Sequence, residues 1–146
     1  MHILYNRNHM KAIDLIIPKN KVEFIYSDIT VGDALRKIAK KRFTMVPVLE
    51  RNSERYLYSL SASDILTRIL KNNDIEATKL EMLSSVQIDR LVVPCSKDTD
   101  LAALADLAIS QNYVPIVDGK GIFLGIVTRQ AILDYFISQV FDNEGE

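Results

Sequence analysis

Apolar and polar positions follow the same order twice along this chain. The run VPVL at 46–49 is matched by VPIV at 114–117, and YSLSASDIL at 58–66 is matched by GIVTRQAIL at 125–133. Pro47 and Pro115 lie 68 positions apart, whereas Ser61 and Thr128 lie 67 apart. Short loop deletions in a duplicated unit produce such small changes of offset. Two copies predict a paired domain, because a solenoid requires at least three repeats.

Each copy predicts the same five elements. A short strand (22–26, then 92–95) precedes an amphipathic helix, and two strands follow, joined by turn-rich segments at 50–54 and 118–121. A second helix closes each copy. The apolar stripes of the four helices are Ala34, Leu35, Ile38 and Ala39; Ile65, Leu66, Ile69 and Leu70; Leu101, Leu104, Leu107 and Ala108; and Ile132, Leu133, Phe136 and Ile137. The predicted fold class is α+β, with tandem β-α-β-β-α motifs.

The order of segments predicts how the chain is organised. We expect an N-terminal segment (1–20) with a short helix at 12–17, a first motif (21–72), a helical linker (73–89), a second motif (90–140) and a C-terminal tail (141–146). A small sheet covered by helices on one face cannot easily bury its other face alone. We therefore expect the two motifs to pack together with pseudo-twofold symmetry and with clefts between them.

Composition excludes several classes of function. Net charge is −1 and the sequence pI is about 6.1, so no overall field attracts nucleic acid. The single cysteine excludes an internal disulfide and offers no metal-ligand set. We find no apolar run of about 20 residues, no signal peptide and no catalytic motif. The expectation is a cytoplasmic protein that is not an enzyme, without nucleic acid, membrane, metal or catalytic cofactor.

The repeated pattern resembles the CBS domain, and two in tandem resemble the CBS pair, or Bateman module. The resemblance covers about residues 21–137 and rests on the strand–helix–VPVL order followed by Ser/Thr-x-x-Asp. The chain is also similar to small stand-alone CBS-pair proteins of Gram-positive bacteria that bind cyclic di-AMP, the CbpB/DarB group. That similarity lies in KV at 21–22, FTMVPVL at 43–49 and GIVTR at 125–129; a second arginine common in that group is replaced here by Gln130.

The resemblance implies two nucleotide sites, each drawing on both copies. The favoured site, for cyclic di-AMP, would combine Lys21, Glu23, Ile25, Thr44, Met45 and Val46 with Thr128, Arg129 and Ala131. The second would combine Ser61, Ser63 and Asp64 with Val93, Pro94, Cys95, Asn112 and Tyr113. A helix start suits phosphate, and a carboxylate suits ribose hydroxyls. Ser61 and Thr128 are equally interpretable as plain helix caps.

The two helix starts differ at one position. Asp64 in the first copy corresponds to Ala131 in the second, where Arg129 brings a guanidinium that can grip phosphate. A site that lacks the ribose carboxylate but gains a cation suits a ligand whose ribose hydroxyls are bridged. Cyclic di-AMP is such a ligand.

The sequence therefore predicts a non-catalytic adenine-nucleotide sensor, and three alternatives for it remain open. The first is a cyclic di-AMP receptor that regulates a partner; the resemblance implies a (p)ppGpp synthetase/hydrolase or pyruvate carboxylase. The second is an AMP, ADP or ATP energy sensor that uses Asp64, and the third is a scaffold with vestigial pockets. The family also implies a homodimer, for which we expect contacts from Ile65, Ile69, Ile132 and Phe136.

Overall fold

The computed structural model describes residues 9–41 and 44–144, with side chains as far as Asp142. Phe43, part of the motif that carries the resemblance, lies outside the described residues. The chain divides into two compact units. Residues 23–91 form one, which we call the first-copy unit. The segment ending at Val22 and the segment beginning at Val92 together form the other, the second-copy unit.

The N-terminal segment belongs to the second-copy unit. It contains helix α1 (Ala12–Leu15), strand β1 (Ile17–Pro18) and a 3-10 helix (Lys19–Lys21). The prediction of a helix reaching residue 17 is wrong, because Ile17 and Pro18 pair antiparallel with Ile126 and Gly125. Strand β1 lies at the edge of its sheet, where proline is tolerated because its missing N–H faces no partner strand.

The first-copy unit contains a three-stranded sheet. Its elements are β2 (Ile25–Tyr26), α2 (Val31–Lys41), β3 (Met45–Leu49), β4 (Tyr56–Ser61), α3 (Ala62–Asn72), α4 (Ile75–Thr78) and a 3-10 helix (Leu83–Ser85). The strand order is β2-β3-β4, with β2 parallel and β4 antiparallel to the central β3. The β-α-β-β-α order predicted for this copy is confirmed.

The second-copy unit repeats this order and adds one strand. Its remaining elements are β5 (Cys95–Ser96), α5 (Leu101–Ser110), β6 (Tyr113–Val117), β7 (Phe123–Thr128) and α6 (Arg129–Glu144). The sheet order is β1-β7-β6-β5, so the N-terminal segment supplies the fourth strand. Helix α6 continues to Glu144, beyond the end predicted for the second motif.

The first strand of each copy is shorter than predicted. Strand β2 pairs only with Val48 and Leu49, and β5 pairs only with Ile116 and Val117. In both cases the pairing stops next to a proline of the central strand. Pro47 and Pro115 have no N–H to donate, so the parallel ladder cannot continue past them. The residues before β2 and β5 therefore leave the sheet.

Each unit has its own apolar core. The first is formed by Ile25, Val31, Ala34, Val46, Val48, Leu60, Ile65, Leu83 and Val86, and the second by Ala12, Leu101, Leu104, Ala108, Val114, Ile116, Val127 and Ile132. Ile65 and Ile132 are 1% and 5% exposed. The expectation that these two isoleucines contact a second chain is therefore wrong, since they are buried inside their own units. Ala39, predicted on a buried stripe, is exposed.

The segment between the motifs is less helical than predicted. Only α4 and the 3-10 helix at Leu83–Ser85 interrupt an extended path from residue 73 to 89. The segment nevertheless packs tightly, because its carbonyls accept the first amides of α2. Val31 N donates to Glu81 O (2.9 Å) and Gly32 N to Lys79 O (3.0 Å). These bonds satisfy helix-end amides that have no partner inside the helix.

Candidate functional site

The start of α3 is a reciprocal capping box. The Ser61 hydroxyl accepts a hydrogen bond from the Asp64 amide (3.1 Å), and Asp64 Oδ2 accepts one from the Ser61 amide (3.1 Å). Asp64 Oδ1 accepts a third from the Asp89 amide (3.2 Å), and the residue is only 6% exposed. The helix-cap interpretation of Ser61 is confirmed. An ionised carboxylate has about four acceptor positions, so Asp64 keeps some capacity for a ligand.

Two cavities of the first-copy unit share Asp64 in their walls. One of about 130 Å³ is lined by Met45, Ser61, Ser63, Asp64, Asp89 and Arg90, and one of about 390 Å³ is lined by Ser63, Asp64, Thr67, Gln87 and Asp89. The Ser61 and Ser63 hydroxyl oxygens are 3.0 Å apart. Hydroxyls beside two carboxylates suit sugar hydroxyls better than phosphate, because carboxylates repel an anion.

The structure thus brings together three residues predicted for the second site, Ser61, Ser63 and Asp64, within one unit. It adds Asp89 and Arg90, which the sequence did not single out. These two lie in the extended segment that follows the 3-10 helix at Leu83–Ser85. Their place beside Asp64 depends on how that segment returns to α3, and local sequence carries no signal for such a return.

The first-copy residues of the favoured site have different environments. Thr44 is exposed, and Met45 is half-buried at the start of β3. Ile25 and Val46 are 2% and 0% exposed, and both belong to the apolar core. Their side chains serve packing, so these two positions have only backbone groups to offer a ligand.

Glu23 lies beside a lysine-rich cavity. The cavity, about 160 Å³, is lined by Glu23, Phe24, Ile25, Lys37, Lys40 and Lys41. Lys41 Nζ lies 3.5 Å from Glu23 Oε1, and both side chains are largely exposed. Lys37, Lys40 and Lys41 are spaced i, i+3 and i+4 on α2, which places them on one helix face. This spacing was readable from the sequence, although only the solvated helix end was inferred from it.

The start of α6 is capped by Thr128, whose hydroxyl accepts from the Ala131 amide (3.0 Å). Arg129 then turns to the end of α5. Its Nε donates to Ala108 O (2.7 Å), and one terminal nitrogen donates to Gln111 O (3.0 Å) and to Ile109 O (3.4 Å). Unpaired carbonyls and the negative end of the helix dipole both favour a cation there. Arg129 therefore has a structural partner as well as its predicted ligand role.

Lys21 closes the 3-10 helix at Lys19–Lys21, which packs against β7 of the same unit. Its side chain is exposed, and Ala131 is half-buried. Within the second-copy unit the favoured site therefore retains exposed cations at Lys21 and Arg129.

The second-copy residues of the other predicted site lie before β5 and at the start of β6. Val93 is 48% exposed, whereas Tyr113 is 7% exposed and packs into the sheet. Pro94 and Cys95 are half-buried and Asn112 is exposed. Burial raises the pKa of the Cys95 thiol, which keeps it protonated near neutral pH. Cys95 thus has the character of a packing residue rather than of a nucleophile.

Two further searches were confined to the described residues. Within residues 9–41 and 44–144, no three His, Cys, Asp or Glu side chains are grouped so as to hold a metal ion. Among the helices of these residues, none has the length and apolar character needed to cross a membrane.

Comparison with known proteins gives the family of the chain. The model of the CBS domain matches residues 12–71 and 84–138. A crystal structure of CbpB in complex with c-di-AMP superposes with a TM-score of 0.85 at 19% identity, covering 97% of this chain and 94% of that one. CBSX2 in complex with AMP gives a TM-score of 0.69 at 22% identity, with 88% and 96% covered.

Among curated proteins, the magnesium and cobalt efflux protein CorC of Pasteurella multocida is 27% identical over 138 residues. The match covers 94% of this chain but 44% of CorC, so the chain spans less than half the length of that relative. Two family matches, each on one copy of the repeat, define a mixed α/β CBS pair. The chain belongs to the CBS domain family.

Proposed function

We propose that the chain is a non-catalytic adenine-nucleotide sensor whose ligand is cyclic di-AMP. The observation that carries this proposal is the difference between the two helix starts. At α3, Asp64 provides a carboxylate suited to free ribose hydroxyls; at α6, the same position is Ala131 and Arg129 provides a guanidinium. A ligand with bridged ribose hydroxyls and two phosphates suits the α6 start better than a mononucleotide does.

The proposed contacts are those predicted from the sequence, sorted by unit. In the second-copy unit they are Lys21, Thr128, Arg129 and Ala131; in the first-copy unit they are Glu23, Thr44 and Met45, with backbone groups of Ile25 and Val46. The likeness to CbpB in complex with c-di-AMP supports this ligand, and the likeness to CBSX2 in complex with AMP supports adenine nucleotides in general. CorC is matched over less than half of its length, so efflux is not part of the proposal.

Regulation follows if a partner and the nucleotide favour different states of the protein. Each then weakens the binding of the other by the same coupling free energy. The family resemblance points to a (p)ppGpp synthetase/hydrolase or pyruvate carboxylase as the partner, and to a homodimer. The exposed apolar residues of the closing helices, Leu66, Leu70, Leu133 and Ile137, replace the two buried isoleucines as proposed dimer contacts.

A second candidate is an AMP, ADP or ATP sensor. The two cavities at Asp64 favour it, because they join hydroxyl and carboxylate groups suited to a free ribose. Ligand preference separates the two candidates.

Isothermal titration calorimetry with cyclic di-AMP, AMP and ATP tests the proposal. We expect cyclic di-AMP to bind with a micromolar Kd, about −8 kcal/mol, and at least tenfold more tightly than AMP or ATP. Binding of AMP or ATP alone would establish the second candidate instead. Absence of binding for all three nucleotides would reduce the protein to a scaffold.

A further inference from the structure

A buried glutamine follows α5, at the point where the chain enters β6. Gln111 is 6% exposed, and its side-chain amide makes three hydrogen bonds. Its Oε1 accepts from Val93 N (2.8 Å), and its Nε2 donates to Val93 O (3.0 Å) and Tyr113 O (3.3 Å). Buried amides normally have partners, so satisfaction alone is unremarkable in physical terms. The identity of the partners is what matters.

The Gln111 amide pairs with both backbone groups of one residue. Val93 donates through its N–H and accepts through its C=O, and the amide presents an acceptor beside a donor to meet them. The edge of adenine presents the same pattern, an acceptor ring nitrogen beside the N6 amino group. A backbone N–H and C=O that suit adenine therefore suit a glutamine amide equally well.

Val93 and Tyr113 are also the residues that the sequence assigned to an adenine-binding segment. We propose that Gln111 occupies the adenine-pairing edge of Val93 and so closes this segment to nucleotides. The Val93 N–H is a single donor already in use, and Val93 O and Tyr113 O both accept from Gln111 Nε2. This inference rests on the proposed function and sharpens it: adenine is bound without the Val93 segment.

Two observations make the plug specific and firm. The repeat aligns Gln111 with Phe43, whose phenyl ring carries no amide, so the first copy has no equivalent group. The backbone of Gln111 is itself held, because Arg129 donates to its carbonyl (3.0 Å) and its amide donates to Leu107 O (3.1 Å). An amide fixed at both its backbone and its side chain competes strongly with a free ligand.

Removing the amide tests the proposal. AMP is titrated into the wild-type chain and Gln111→Ala, with Ser110→Ala as the matched control on the exposed end of α5. We expect Gln111→Ala to bind AMP at least tenfold more tightly than wild type, with one more equivalent per chain. The Val93 amide hydrogen should exchange at least tenfold faster in Gln111→Ala and slow again when AMP is added. Ser110→Ala should match the wild type in both measurements.

The outcomes separate the plug from the proposed function. A folded Gln111→Ala that gains no AMP binding overturns the plug, as does wild-type AMP binding that shifts the Val93 amide resonance. If Gln111→Ala fails to fold, Gln111→Asn withdraws the amide by one methylene and should show the same gain. Failure of the wild type to bind cyclic di-AMP overturns the proposed function, while the AMP gain in Gln111→Ala still decides the plug.

Discussion

The two copies begin their closing helices in the same way but commit their charged residue to different tasks. In the first-copy unit, Asp64 accepts backbone hydrogen bonds from Ser61 and Asp89. In the second-copy unit, Arg129 donates to carbonyls at the end of α5, and Ala131 makes no side-chain hydrogen bond of its own. Each charge predicted to bind a nucleotide therefore already stabilises its own unit. A ligand must share these charges with the fold.

A second difference lies in the sheets. The second-copy sheet gains β1 from the N-terminal segment, and the first-copy sheet has no such strand among the described residues. Gly125 makes this possible, since its position in the first copy is occupied by Tyr58. A Cβ at Gly125, where φ is +153°, would lie 2.1 Å from Ile17 O. The duplicated units thus differ where one residue lacks a side chain.

The largest expected effect comes from filling that gap. Gly125→Ala should lower the free energy of unfolding by about 3 kcal/mol or more, because the backbone of β1 must move away. Chemical denaturation measures the loss. Gly119→Ala is the matched control, because nothing lies within 4 Å of a Cβ at that position. Equal stability of the two variants would show that β1 is not tightly paired with β7.

Arg129→Ala should have the next largest effect. Loss of its hydrogen bonds to Ala108 and Gln111 should lower the free energy of unfolding by about 1–2 kcal/mol. Cyclic di-AMP affinity should fall at least tenfold if the proposed contact is correct. The neighbouring Gln130→Ala, which loses one exposed bond to Asp134, serves as control. A stability loss without an affinity loss would leave Arg129 a purely structural residue.

Exchanging the residues that distinguish the two helix starts should have smaller, opposite effects. Asp64→Ala removes one half of a capping box and should lower the free energy of unfolding by about 1 kcal/mol. Ala131→Asp completes a box with Thr128 and should raise it by about 0.5 kcal/mol. Thermal unfolding of both variants measures this. The same sign in both would mean that the helix starts are not equivalent.

The smallest expected effect concerns α3 alone. Arg68 donates to Glu81 (2.9 and 3.1 Å), and this bond, with those from Ser85 and Asn72, lowers the pKa of Glu81. A lowered carboxyl pKa adds stability above the ordinary value of 4.5 and loses it as pH falls through the lowered value. The melting temperature of Glu81→Gln should therefore lie below that of wild type at about pH 7 and approach it near about pH 3.

The second copy provides the contrast for this network. The repeat aligns Arg68 with Tyr135, which packs against the apolar core of its unit. No acid-sensitive tether is expected there. A melting-temperature difference that stays constant with pH would show that Glu81 contributes through packing rather than through charge.

Local sequence was sufficient for the elements that follow periodicity and capping chemistry. The β-α-β-β-α order, the strands around Pro47 and Pro115, and the caps at Ser61 and Thr128 were all predictable. Each depends on residues within a few positions of one another. The predictions that failed depended on distant partners. Strand β1 required Gly125, and the burial of Ile65 and Ile132 required the packed cores around them.

The same division holds for the candidate site. The sequence by itself determined which residue types stand at the two helix starts, because a duplicated pattern exposes the replacement of Asp64 by Ala131. Only the tertiary structure decided what those residues contact. Arg129 and Gln111 find their partners 18 to 21 positions away, through chain turns that no local pattern specifies. Hydrogen bonds act over about 3 Å, so the fold has to bring donor and acceptor together before either task exists.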